Sequence, residues 1–163
     1  VERQSFSAFY PRFFRFLMTA NPKLVPAAAG TSLQVLGDQV LVKLTSQDTN
    51  GQFALTEQWN APGTGIPTHL HLREDETFFV LEGRVEFVVG QTTTTVEPGG
   101  LAYAPRGLAH SFWIVSDTPA RMLIQVSPAG LENMFQELSQ LPTGPPDMGQ
   151  VTAICGRYGV SFV

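Results

Sequence analysis

Residues 63–83 read GTGIPTHLHLREDETFFVLEG, and the fold turns on this stretch. His69 and His71 stand two residues apart, so on a strand both rings point to one face. Glu76 follows beyond a bend at Arg73-Glu74-Asp75, close enough to lie on the next strand, and Phe78 and Val80 share its parity. The remaining histidine, His110, reaches the pair only by folding; Phe112 and Ile114 share its parity. The imidazoles therefore belong to an apolar face. A pair of surface histidines is the simpler alternative, but three unpaired imidazoles on such a face are costly, and a bound ion would satisfy them. Two imidazoles and a carboxylate on one face suit a divalent transition metal such as Fe, Mn, Ni, Zn or Cu.

Outward from this stretch the period of two persists. Ser32–Leu36, Gln39–Thr45 and Phe53–Trp59 alternate as strands, with a turn at Asp48-Thr49-Asn50-Gly51. Ala61–Pro67, carrying two Gly and two Pro, reads as a loop. His69–Leu72 and Glu76–Leu81 follow, then a hairpin of Arg84–Val89 and Thr92–Val96 across Gly90-Gln91. Leu101–Ala104, His110–Val115 and Arg121–Val126 complete the set. Many short strands with frequent turn signals predict an all-β antiparallel sandwich or barrel over residues 32–128.

After Pro128 the period changes. Leu131, Met134, Phe135, Leu138 and Leu141 share one helical face, with Glu132, Asn133, Gln136, Glu137 and Gln140 opposite. A second helix is expected from Asp147, as N-cap, to about Arg157, with Met148, Val151, Ile154 and Tyr158 inward. Residues 129–163 thus read as a helical segment packed on the barrel, its first helix covering one end.

Composition narrows the function. The chain of 163 residues is 43% hydrophobic and only 15% charged, which excludes disorder. Fifteen Gly and twelve Pro exceed the roughly 12% of an average chain and speak against a helical bundle. A net charge of −4 leaves no basic footprint for nucleic acid, and no apolar run reaches the ~18 residues of a membrane helix. Cys155 is the single cysteine; without an internal disulfide, a cytoplasmic location is expected, and Cys155 reads as a small buried hydrophobe. Residues 1–31 read as an N-terminal arm or extension; a targeting peptide is the lesser reading, and Met18 would serve as an alternative start because the sequence opens on Val1.

Two longer patterns carry a resemblance. From Gly63 the chain reads G-x5-H-x-H-x4-E-x6-G, and from Gly99 it reads G-x5-P-x-G-x2-H, with Pro105, Gly107 and His110 in place. These resemble the two motifs of the cupin superfamily; one position departs, Ile114 standing where the second motif usually ends in Asn. The resemblance implies a jelly-roll β-barrel (a double-stranded β-helix) with one or two C-terminal helices. It also implies one divalent ion held by His69, His71, Glu76 and His110. Phe78, Val80, Phe112 and Ile114 are then expected to line a pocket for an aromatic or enol-type small molecule.

Among cupins the chain looks most like small quercetinase-like proteins, related to flavonol dioxygenases, through HLHLREDETFFVLEG and the helix followed by Tyr158-Gly159. In that group the metal glutamate doubles as the base for the substrate hydroxyl, which gives Glu76 a catalytic role. A metal-dependent dioxygenase is therefore the leading expectation. A metal-dependent isomerase or lyase, or a non-catalytic binding module, are the alternatives. Glu74 and Asp75 read as a solvated bend, and Trp59 and Trp113 as core or interface aromatics. Phe79, Leu81 and Trp113 point away from the interior, so a homodimer or the N-terminal arm is expected to cover them.

Overall fold

A computed structural model describes residues 21–163; the expected N-terminal arm falls largely outside the described residues. The strands are β1 (Thr31–Val35), β2 (Asp38–Leu44), β3 (Ala54–Asn60), β4 (Gly65–His71), β5 (Asp75–Glu82) and β6 (Val85–Val89). They continue as β7 (Thr92–Val96), β8 (Leu101–Ala104), β9 (His110–Ile114), β10 (Ala120–Ser127) and β11 (Val160–Phe162). Three helices, α1 (Ser46–Thr49), α2 (Leu131–Leu138) and α3 (Met148–Arg157), complete the order. Among the described residues no helix is long and apolar enough to cross a membrane.

The strands form two antiparallel sheets, one ordered β1-β2-β3-β10-β5-β8 and the other β11-β4-β9-β6-β7. Side-chain parity decides which face is buried. Along β5, Glu76, Phe78 and Val80 lie opposite Val126, Ile124 and Met122 of β10, and all six are buried. On the other flank Phe78 faces Ala102 of β8, a large side chain set against a small one. Phe78, Phe87 and Phe112 meet with centroids 5.0–6.0 Å apart, within the range in which aromatic pairs attract. A second core joins β1, β2 and β3 to both larger helices and β11 through Leu33, Val40, Leu131, Met134, Val151 and Val160. The all-β jelly roll with C-terminal helices is thus as the sequence indicates.

Several details depart from it. The stretch expected as a loop is partly strand, because β4 begins at Gly65 and both Gly65 and Ile66 pair with β9. The register slips between Ile66 and His69, a bulge that tolerates Pro67, which has no N–H to give the ladder. The turn after β2 includes the one-turn helix α1, ended by Asn50 and Gly51 at φ 53 and 76. The Asp147 carboxylate accepts from the Gly149 and Gln150 amides and caps α3 as read, but Met148 is 52% exposed. Glu132, placed by its period on the solvent face, is buried and accepts from the Ser46 and Gly130 amides at 2.7 Å. It ties α2 to α1. The last departure is β11, which the helical reading of residues 129–163 did not contain.

Candidate metal centre

His69 and His71 occupy the end of β4, Glu76 the second position of β5 and His110 the first of β9. The bulge in β4 leaves His69 opposite His110, and strand parity turns His71 to the same side. The ring centroids of His69, His71 and His110 lie 4.3–5.3 Å apart. Glu76 Oε2 is 3.1 Å from His110 Nε2 and 3.4 Å from His71 Nε2. One ligand atom from each of the four residues falls within 4.8 Å of the others, and all four side chains are buried.

Orientation comes from the opposite ring nitrogens. His69 Nδ1 meets the Pro67 carbonyl at 2.8 Å, and His110 Nδ1 meets the Leu108 carbonyl at 3.0 Å. With Nδ1 donating, His69 Nε2 keeps its lone pair for an ion, whereas His110 Nε2 donates to Glu76 Oε2 and would give up that proton to an ion. Burial pulls the His69 imidazole down to about 4, against the opposing pull of Glu76. Burial likewise lowers His71. For His110, burial acts downward but the Glu76 and Leu108 hydrogen bonds outweigh it, and the net shift is upward. For Glu76, burial acts upward, yet the His110 hydrogen bond and the three imidazoles together leave it below the ordinary carboxylate range. Two neutral imidazoles and an ionised carboxylate are the protonation states a metal needs. The residues fit a divalent ion.

The bend before β5 is not the solvated turn expected. Asp75 accepts three hydrogen bonds of 2.9 Å from Arg106, one from its amide and two from its guanidinium. Arg106 also reaches the Ser127 carbonyl. This clamp joins the start of β5 to the loop before β9, the two segments that carry Glu76 and His110. Its guanidinium holds the Asp75 carboxyl at about 2. Glu74 turns inward and is buried.

A cavity of about 100 Å³ adjoins His69, His71 and Glu76 of the cluster. Phe78 and Phe112 line it as expected, whereas Val80 and Ile114 do not. Those two are packed in the solid core below, 0% and 1% exposed. The opposite wall comes from the C-terminal elements, with Leu131, Met134 and Phe135 of α2, Cys155 of α3 and Phe162 of β11. Asp38 and Gln58 add two polar groups on the β2–β3 side. Sequence reasoning missed these walls; the one available signal was the apolar stripe of the first helix.

Family comparison matches residues 60–126 to the cupin domain, and that span contains every histidine of the cluster. The match takes in 67 of the chain's 163 residues. An uncharacterized protein of Streptomyces coelicolor is 42% identical over 55 residues, 34% of this chain and 51% of its own length. Oxidoreductase OpS7 of Beauveria bassiana is 33% identical over 90 residues, 55% of this chain and 26% of that protein. The chain therefore spans about half of one relative and about a quarter of the other. Among solved structures, KdgF from Halomonas superposes with a TM-score of 0.62 at 16% identity, covering 69% of this chain and 99% of KdgF. That likeness is one of fold.

Proposed function

We propose that this protein is a metal-dependent dioxygenase acting on a small enol-type molecule. The observation that carries the reading is a buried cluster of three imidazoles and one carboxylate, of which His69, His71 and Glu76 line an apolar cavity. His69, His71, His110 and Glu76 would hold the ion, and a redox-active divalent ion there supplies electron transfer between an enol and dioxygen. Glu76 is the carboxylate of the cluster, so it is the group placed to take the proton of a substrate hydroxyl. Phe78, Phe112 and Ile66 exclude water from the same space. The partial identity to an oxidoreductase over 90 residues supports oxidation over the isomerase, lyase and binding-module alternatives.

Size bears on the substrate. A cavity of about 150 Å³ is what accommodates benzene in an engineered protein core, and this one is smaller. A three-ring flavonol exceeds it, whereas an acyclic β-diketone is far closer to the space offered. The quercetinase-like assignment is therefore narrowed to the chemistry, with a smaller substrate. Protein loaded with Fe, Ni or Mn is expected to consume oxygen with pentane-2,4-dione and to act weakly or not at all on quercetin. No oxygen uptake with any of these metals on either compound overturns the proposal. Turnover supported by zinc without oxygen assigns the site to Lewis-acid chemistry instead.

We further propose that the protein is a homodimer. Phe79 of β5 pairs with Leu101 of β8, and with Tyr103 they are 38%, 57% and 52% exposed. Together they form an apolar strip on the open edge of the six-stranded sheet. Trp113, 47% exposed, lies on the other sheet. A dimer mass at micromolar protein is expected by sedimentation, falling to the monomer in Leu101→Lys; a monomer mass in the unmodified protein overturns this.

A further inference from the structure

We infer that Glu74 is a positioning residue of the metal centre, holding His71 by Nδ1 so that Nε2 faces the ion. The inference rests on the four-residue cluster being a metal site. Of the three imidazoles, two have Nδ1 fixed by a backbone carbonyl two residues earlier, Pro67 for His69 and Leu108 for His110. His71 has no such partner. The carbonyl two residues before it belongs to His69, which lies in register with Phe162 on β11.

His71 Nδ1 is buried and, among the described residues, makes no hydrogen bond; Glu74 Oε2 is in the same condition. These two unpartnered atoms face each other at 3.8 Å. On the other side of the ring, His71 Nε2 is 3.4 Å from Glu76 Oε2. The imidazole thus stands between two carboxylates, one on the cluster side and one behind it.

Local geometry gives Glu74 no other reason to be inside. It closes a short bend between β4 and β5 in which Leu72 and Arg73 are both exposed, yet Glu74 itself is only 5% exposed. A buried carboxylate oxygen without a donor, beside a buried ring nitrogen without an acceptor, is unfavourable for both groups. A shift of about 1 Å brings them to hydrogen-bond distance. An ion on Nε2 requires the ring proton to sit on Nδ1, where Glu74 is the group that can accept it. Carboxylate, imidazole and ion then form one line, and Glu74 supplies to His71 what the backbone supplies to the other two.

The test is Co²⁺ titration of the full chain followed by visible absorption, with ¹⁵N NMR of the imidazoles as a second readout. Glu74→Ala is expected to bind Co²⁺ about 10–100-fold more weakly than the unmodified protein, with the His71 proton no longer confined to Nδ1. Glu74→Gln, which keeps an acceptor oxygen, is expected to recover part of that loss. Glu74→Met fills similar volume without a good acceptor and guards against misfolding of the alanine variant; it is expected to bind as weakly. Unmodified affinity and an unmoved His71 signal in a folded Glu74→Ala or Glu74→Met protein overturn the inference alone. Failure of the unmodified protein to bind Co²⁺ overturns the metal site and this inference with it.

Discussion

Protein carrying His110→Ala is expected to purify with well under one metal ion per chain, against close to one in the unmodified protein. His110 sits at the start of β9, opposite His69 and 3.1 Å from Glu76, so its loss removes one of four converging ligand atoms and opens the cluster on that side. Removal of an outer partner of a metal ligand costs roughly 10–100-fold in affinity, and removal of the ligand itself is expected to cost more. Glu76 compounds the effect. It would keep its buried carboxylate without the hydrogen bond that helps hold it below the ordinary carboxylate range, and an unpaired buried charge is strongly disfavoured. Elemental analysis of both proteins, prepared without added metal, is the measurement. Equal stoichiometry would place the ion elsewhere in the molecule.

The second large effect is on stability. Phe78→Ala removes a ring that is 1% exposed and lies 5.0 Å from Phe87, 5.7 Å from Phe112 and 6.2 Å from His110 by centroid. Truncation of a buried Phe costs about 3–5 kcal/mol, and for a chain of this size that is a fall in Tm of roughly 6–20 °C. Phe78 also lines the cavity, so the space vacated joins a void already present and does not collapse. The lower part of the range is therefore not expected to be rescued by repacking, and the enlarged cavity is expected to bind benzene more tightly than the unmodified protein does. Thermal melts with and without such a ligand measure both effects. A fall of under about 3 °C would mean that Phe78 is not the keystone of its cluster.

The parts of this fold that sequence made legible are those stabilised by near neighbours. The β6–β7 hairpin and β8 fall where alternation and Gly90 place them, because each pairs with a strand close in the chain or presents a plain apolar parity. The four cluster residues were legible for a related reason: two of them share one strand, and strand parity alone aligns them. What escaped depends on distant contacts. Gly65 and Pro67 carry turn signals, yet their strand is set by β9, which approaches so closely that a Cβ on Gly65 would collide with the Phe112 carbonyl. Glu132 is charged and was read as solvated, while its partner, the Ser46 amide, lies 86 residues away. Glu74 escaped likewise, since a carboxylate in a polar bend gives no sign of facing inward. β11 is three residues long, too short for alternation to register.

That short strand has a consequence for how the molecule breathes. β11 pairs residue for residue with the end of β4, Val160 with His71 and Phe162 with His69, and the Leu72 and Val163 amides extend the pairing at either end. A three-residue strand at the edge of a sheet, as β11 is, is among the segments that open most readily in a native protein, at a free energy well below global unfolding. Here such fraying strips the backbone partner from the strand that bears two of the four cluster residues and withdraws Phe162 from the cavity wall. In this protein, momentary loss of order in one edge strand and momentary admission of solvent to the centre are a single event, so the exchange rate of a few β11 amides reports how often the centre is bared.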